Sequence, residues 1–182
     1  ASVLTGQKFW RLEEGGLLFG RLKKKFPIII DILEKVGYEI GITGKGYAPA
    51  RQDFENTWNP IFSNKISNRL KAPKGISTVD YFSSFEKFIN ERDVKKPFFF
   101  WFGASEPHRS YKYGIGAENG IDLKKIKVPS FFPDSEIVRN DIADYYYEIE
   151  WQDKHLAKML DLLEKKGQLN NTIVILTSDN GM

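Results

Sequence analysis

The sequence predicts an α/β fold in which helices flank a mostly parallel sheet. Three observations support this fold class: helix-then-strand units follow one another, their strands are apolar on both faces, and the chain has the size of one domain. The 182 residues are 41% hydrophobic and 28% charged, as is typical of globular proteins. The chain is therefore predicted to form one domain or a slice of a larger one.

The first unit lies between Pro27 and Thr43. The segment PIIIDILEKV opens with proline at a plausible first helical position, and Gly37 follows it as a natural helix end. The run YEIGIT, residues 38–43, is β-prone and leads into Lys45 between two glycines. We predict a short helix, then a strand that ends in a loop.

The second unit has Ser77 as the predicted cap of a helix whose apolar residues follow helical spacing. The run FFFWF, residues 98–102, follows and is predicted to be a buried strand. In the third unit, Ser135 is predicted to cap a long helix that extends to residue 166, and TIVILT, residues 172–177, is predicted as the third strand. Long, poorly periodic loops lie between the units, over residues 48–76 and 106–133, and such loops are usually functional or disordered.

Composition excludes several classes of function. The 27 basic and 24 acidic residues give a net charge of +3, too small to indicate nucleic-acid binding. The chain has no cysteine, which excludes disulfides and thiol catalysis within it. No apolar stretch approaches the roughly 20 residues that a membrane span needs. We expect neither a nucleic-acid partner nor a membrane span.

Polar side chains follow each predicted strand. Lys45 follows the first, residues 104–109 (ASEPHR) follow the second, and residues 178–181 (SDNG) follow the third. Because ligands of open α/β sheets collect beyond the carboxyl ends of the strands, these residues are expected to converge on one edge. Together they indicate an anion site with a hard cation.

Each candidate also has a simpler interpretation. Asp179 and Asn180 supply oxygen ligands suited to Ca²⁺ or Mg²⁺, but Asp-Asn-Gly is also favourable turn chemistry. His108 is interpreted either as a proton donor or anion ligand, or as a packed or solvated side chain. Lys45 can approach a substrate closely between its glycines, or lie on the surface in a turn. His155, inside the long helix, is predicted to be structural or exposed.

Four motifs in order resemble the sulfatases of the alkaline phosphatase superfamily. They are Ala1–Gly6 as the tail of a first signature, GYEIGITGK over residues 37–45, the aromatic strand with its Pro-His pair over residues 98–109, and the terminal TSDNG over residues 177–181. Within the family, EPHR, the stretch from Val128 to Pro133 and the long helix look most like the heparan N-sulfatase subgroup. The resemblance implies that residues 1–182 are part of a single catalytic domain, truncated at both ends.

The resemblance implies hydrolysis of a sulfate ester or sulfamate in a sulfated carbohydrate, with a formylglycine nucleophile and a divalent cation, Ca²⁺ or alternatively Mg²⁺. The nucleophile would lie before Ala1, so residues 1–182 alone are expected to be inactive. It also implies a periplasmic, secreted or lysosomal location. The implied roles are catalysis by Lys45 and His108, recognition of a charged sugar by Arg109 and Glu106, and metal binding by Asp179 and Asn180.

Two alternatives and one departure stay open. The alternatives are a phosphatase or phosphodiesterase of the same superfamily, and a carbohydrate-binding homologue without activity. The departure is Tyr47, which stands near the place where many sulfatases have a histidine and which cannot act as an imidazole near neutral pH.

Overall fold

The computed structural model describes residues 1–46, 69–178 and 180–181. Its helices and strands are α1 (Ser2–Thr5), α2 (Ile29–Lys35), β1 (Glu39–Gly44), α3 (Tyr81–Glu91), β2 (Phe98–Gly103), α4 (Ile115–Glu118) and α5 (Glu136–Lys165). Short 3-10 helices lie at Phe9–Arg11, Glu13–Gly16, Leu123–Lys125 and Leu169–Asn171. In the described part of the chain, no helix is long and apolar enough to cross a membrane.

The sheet of the described residues has two parallel strands. β1 pairs with β2 in a register that runs from Glu39 opposite Phe98 to Gly44 opposite Gly103. Because the strands are parallel, their carboxyl ends lie side by side at one edge of the sheet. The predicted parallel α/β arrangement of these units is confirmed.

Each face of the sheet packs against its own apolar cluster. On one face, Ile42 and Trp101 lie against a cluster of the N-terminal residues and α2, whose buried members are Leu4, Leu12, Leu22, Ile28 and Ile30. On the other face, Phe98, Phe100 and Phe102 lie against α3 and α5, with Tyr81, Phe85, Ile89, Met159 and Leu163 buried. The strands therefore lie between two layers, as their apolar sequences predict.

The helices of the first two predicted units, α2 and α3, form where the sequence predicts them, but they begin or end at different residues. Pro27 lies two residues before α2, while Gly37 adopts the positive φ of 91° that glycine tolerates. α3 is capped by Asp80 and not by Ser77: the Asp80 carboxylate accepts a 3.0 Å hydrogen bond from Ser83 N. The Ser77 hydroxyl accepts instead from Val79 N at 3.2 Å, because the helix begins later than predicted and Ser77 stands too far from its first turn.

The long helix α5 is confirmed together with its cap, since the Ser135 hydroxyl accepts a 3.4 Å hydrogen bond from Val138 N. Its buried face spans nearly its whole length, from Asn140 to Leu163. This face is only partly apolar, because Asn140, Asp144, Glu148 and His155 are buried in it beside the apolar side chains.

Two strand predictions need correction. β2 is half-buried along its length and not fully buried, because only β1 pairs with it in the described sheet. The predicted third strand, residues 172–177, is not a strand in the structure; Ile173 is 89% exposed and Leu176 is 75% exposed. A strand needs a neighbour for its backbone hydrogen bonds, and no strand pairing of this run is present among the described residues.

Candidate functional site

The tips of β1 and β2 bring Lys45 and the following turn of β2 to the same edge. Gly44 lies opposite Gly103, and Lys45 N donates a hydrogen bond to the carbonyl of Gly103. Trp101 Nε1 donates to the carbonyl of Lys45 at 3.1 Å. The Lys45 backbone is thus fixed beside β2 on both sides of its Cα, while its side chain is exposed.

Glycine is required where these strands end. Gly44 has a φ of 76°, and a Cβ there would meet the Gly103 carbonyl and approach Tyr81 Cε1 to 2.8 Å. Any other residue would be strained both by the backbone conformation and by contact. The glycine beside Lys45 therefore lets the two strand tips and α3 pack closely.

The turn after β2, residues 105–109, carries the predicted histidine. It contains a cis peptide bond between Glu106 and Pro107, and His108 N donates to the Ser105 carbonyl at 3.0 Å. The ring of His108 is exposed, and its Nδ1 contacts the carbonyl of Arg109. Because a carbonyl only accepts, Nδ1 carries the proton, and Nε2 is the nitrogen able to exchange a proton with a ligand.

Arg109 is held by the long helix. Its Nη1 donates to Asp141 Oδ1 at 2.6 Å, its Nη2 donates to Asp141 Oδ2, and its guanidinium lies 4.8 Å from the ring centroid of Tyr111. The hydrogen bonds that Arg109 donates to the Asp141 carboxylate raise the pKa of Arg109. The Arg109 side chain is 55% exposed, so it remains accessible to an anion despite this pairing.

Glu106 has its carboxylate turned into the protein. It is 5% exposed; its Oε1 accepts from Ser77 N at 2.9 Å, and its Oε2 accepts from the Tyr81 hydroxyl at 2.8 Å. Both oxygens thus hold the turn to the residues around the start of α3. The geometry shows a structural role for Glu106, and its predicted role in recognising a sugar stays a prediction.

Tyr81 is the residue of this site that sequence reasoning missed. It is fully buried, and its hydroxyl both donates to Glu106 and accepts from Ser105 N at 3.0 Å. The sequence does carry a signal for Tyr81: it is a tyrosine directly after the capping Asp80, in a helix whose other aromatic residues are phenylalanines. A buried tyrosine usually finds a partner for its hydroxyl.

The predicted metal ligands are only partly described. Asp179 lies outside the described residues, as does Tyr47. Asn180 is exposed, and its backbone carbonyl accepts from the Ser178 hydroxyl. The described stretches contain no group of three or more His, Asp or Glu side chains able to hold a metal, so they do not form a calcium shell of about six to eight oxygens.

His155 is structural, as predicted. It is 5% exposed, and its Nδ1 accepts a hydrogen bond from Phe82 N at 3.3 Å. Burial is the main cause that lowers the pKa of this imidazole. His155 therefore anchors α3 to α5 and lies inside the protein, unlike His108.

The arrangement suits an anion that carries several oxygens. One exposed ammonium, one exposed imidazole and one accessible guanidinium follow two adjacent strand tips. Cationic and N–H donor groups gathered at one edge attract negative charge and can stabilise it as it develops.

Comparison with known proteins agrees with this architecture. A family model described as Sulfatase matches residues 1–182. The chain is 26% identical over 173 residues to the N-sulphoglucosamine sulphohydrolase of Homo sapiens, covering 83% of this chain but 33% of the relative. The chain therefore spans about a third of that relative's length.

A solved structure related to the metabolism of multiple glycosaminoglycans by Bacteroides thetaiotaomicron has a similar fold. Its TM-score is 0.59 at 19% sequence identity, and the match covers 91% of this chain and 45% of that one. The predicted α/β fold is confirmed by this likeness together with the observed parallel sheet.

Proposed function

The chain belongs to the sulfatase family, and from this premise we propose that the protein containing it hydrolyses a sulfate ester or sulfamate of a sulfated carbohydrate. The observation that carries the proposal is the register of β1 and β2, which brings Lys45 and the His108 turn to one edge of the sheet. A sulfate group offers the tetrahedral, anionic oxygens that such groups bind.

In this proposal, Lys45 and His108 act on the reacting group. The Lys45 ammonium neutralises negative charge on the sulfate oxygens, and its interaction with them strengthens as that charge grows in the transition state. His108 in its imidazolium form gives the Nε2 proton to the leaving oxygen or nitrogen and becomes neutral, while its Nδ1–H keeps the ring oriented against the Arg109 carbonyl. A formylglycine elsewhere in the protein would supply the oxygen nucleophile.

The substrate class follows from charge and from the relatives. One relative is named for sulphoglucosamine, and the structural neighbour comes from glycosaminoglycan metabolism. A heparan-type chain carries further anionic groups beyond the reacting N-sulfate, and the exposed Arg109 side chain is suited to bind one of them. A periplasmic, secreted or lysosomal location belongs to the same proposal.

A divalent cation is also part of the proposal. Asp179 and Asn180 would give it carboxylate and amide oxygens, which suit Ca²⁺ or Mg²⁺. Because the described residues supply too few ligands, the remaining ones must come from other parts of the protein. When bound, the cation would offset the charge of the sulfate oxygens.

The test measures which anion the complete protein releases. Purified protein is incubated with N-sulfoglucosamine, an aryl sulfate and the matching aryl phosphate, and free sulfate and phosphate are quantified. We expect sulfate release, and we expect Lys45→Ala and His108→Ala each to reduce it by about 100-fold or more. Lys95→Ala is the matched control, since this exposed lysine precedes β2 at the opposite edge of the sheet, and it should retain wild-type turnover.

Three results would contradict the proposal. Release of phosphate in place of sulfate would indicate a phosphatase or phosphodiesterase. Binding of heparan fragments with no turnover of any substrate would indicate an inactive carbohydrate-binding protein. Mass spectrometry of the peptide that precedes Ala1, showing an unmodified residue in an active protein, would exclude the formylglycine mechanism.

A further inference from the structure

Helix α5 carries a stripe of buried polar side chains that the proposed reaction does not use. Asp144, Glu148 and His155 are 1%, 2% and 5% exposed, and their spacing of four and seven residues places them on one face of the helix. Asp144 accepts hydrogen bonds from Gly114 N at 2.9 Å and from Gly116 N at 2.8 Å. His155 is likewise bonded, to Phe82 N.

Glu148 is the exception in this stripe. Its Oε1 is buried and has no hydrogen-bond partner among the residues that the structure describes, although a buried polar atom without a partner is costly and rare. The carboxylate one turn earlier, Asp144, has two backbone donors. An ionised Glu148 would lack any comparable compensation, so its environment favours the uncharged carboxylic acid.

The groups that face Glu148 also disfavour a negative charge there. Burial raises the pKa of Glu148 to about 7, and the charge of Glu106 adds to the rise. Glu148 interacts electrostatically with Glu106 in the turn after β2, with Tyr111 and with Tyr147 of α5. Glu106 in turn interacts with Tyr81 of α3 and with His155 of α5. The tyrosines have raised pKa values and the histidine a lowered one, so these groups are neutral near pH 7 and supply no balancing cation.

Glu106 connects this buried acid to the candidate site. Its two oxygens hold Ser77 N and the Tyr81 hydroxyl, and that hydroxyl in turn holds Ser105 N. The Tyr111 hydroxyl donates to the Pro107 carbonyl at 2.8 Å. The turn with His108 and Arg109 is therefore fixed through the carboxylate that a charged Glu148 would repel.

We propose that Glu148 is a positioning residue that is protonated in mildly acidic solution and, in its uncharged form, lets α5 pack beside the Glu106 carboxylate that fixes the turn of residues 105–109. Loss of the proton places a second negative charge in the same buried region and loosens the turn. Glu148 acts through Glu106 and does not touch the substrate. Its effect on turnover rests on the proposed function, whereas its effect on stability does not.

The test compares wild type with Glu148→Gln, which keeps the shape and cannot ionise, in the complete protein. Thermal unfolding is followed from about pH 5 to about pH 8.5. We expect the wild-type Tm to fall by several °C more than that of Glu148→Gln over this range. Glu150→Gln is the matched control, since Glu150 lies two residues away and is exposed beside Lys154, and its profile should follow wild type.

Turnover is measured with the same proteins. The ratio of kcat/KM for Glu148→Gln to that of wild type should be close to one at about pH 5 and rise several-fold at about pH 8. If no protein in the series turns over a sulfated substrate, the proposed function fails, and the Tm profiles alone decide the role of Glu148.

Parallel Tm profiles for wild type and Glu148→Gln would overturn the proposal. If Glu148→Gln does not fold, Glu148→Met takes its place, because methionine has a similar length and needs no hydrogen-bond partner. The same flattening of the pH profile is expected. A Glu148→Met profile as steep as that of wild type would equally overturn the proposal.

Discussion

Replacing Tyr81 with phenylalanine tests the hydrogen-bonded clamp that holds the turn after β2. The change removes one hydroxyl and keeps the ring, which packs 5.2 Å from Phe102 and 5.3 Å from His155 between ring centroids. Glu106 Oε2 and Ser105 N both lose their partner. A hydrogen bond to a charged group contributes about 1.5–3 kcal/mol and a neutral one about 1 kcal/mol. We therefore expect Tyr81→Phe to lower the free energy of unfolding by about 3 kcal/mol.

The assay is urea denaturation of the complete protein, with a fitted midpoint and slope for each variant. Wild type and Tyr81→Phe should share a slope and differ in midpoint. Tyr113→Phe is the matched control, since Tyr113 is 61% exposed, and it should change the free energy of unfolding by less than about 0.5 kcal/mol. A loss below about 1 kcal/mol for Tyr81→Phe would refute the inference that this hydroxyl clamps the turn.

Three further predictions concern Gly44, Asp141 and Glu148. Gly44→Ala should destabilise the protein by about 2 kcal/mol more than Gly37→Ala in urea denaturation, because both glycines have positive φ but only Gly44 would place its Cβ against neighbouring atoms; equal losses would contradict this. Asp141→Asn should cost less than about 1 kcal/mol of stability, as expected for an exposed ion pair, yet raise the KM for a sulfated sugar several-fold by releasing Arg109; an unchanged KM would exclude this role. Relative to Glu148→Gln, wild-type stability should fall as pH rises, because the pKa of Glu148 is raised from 4.5 to about 7: the folded state binds the extra proton, so this contribution is complete below about pH 4.5 and lost by about pH 7, in total about 3 kcal/mol at about 1.4 kcal/mol per pKa unit. A wild-type stability that rises relative to that of Glu148→Gln between those pH values in unfolding experiments would show the opposite sign.

Local patterns in the sequence predicted the elements that local chemistry determines. The 30-residue helix α5 has a sustained apolar period and a serine cap, and both are observed. The strands β1 and β2 are short apolar runs between glycine or proline, and they pair in parallel as the alternating order of helices and strands predicts. The position of Lys45 directly after β1, and of His108 in the turn that follows β2, predicted these two residues.

Features that depend on distant contacts could not be predicted in the same way. The run TIVILT has strand composition, but a strand also requires a neighbouring edge, and its residues 173 and 176 are exposed in the structure. The clamp between Tyr81 and Glu106 joins residues 25 positions apart, and no local pattern encodes that distance. Glu148 has the appearance of an ordinary helical glutamate until its burial is known.

We propose above all that Lys45 and His108, at adjacent strand tips, bind the same tetrahedral anion. A crystal structure of the complete protein with bound sulfate measures this directly. We predict that Lys45 Nζ and His108 Nε2 each lie within about 3.2 Å of an oxygen of one sulfate ion. A structure in which the two side chains point to opposite sides of the sheet, or in which the sulfate binds away from both, would contradict the account.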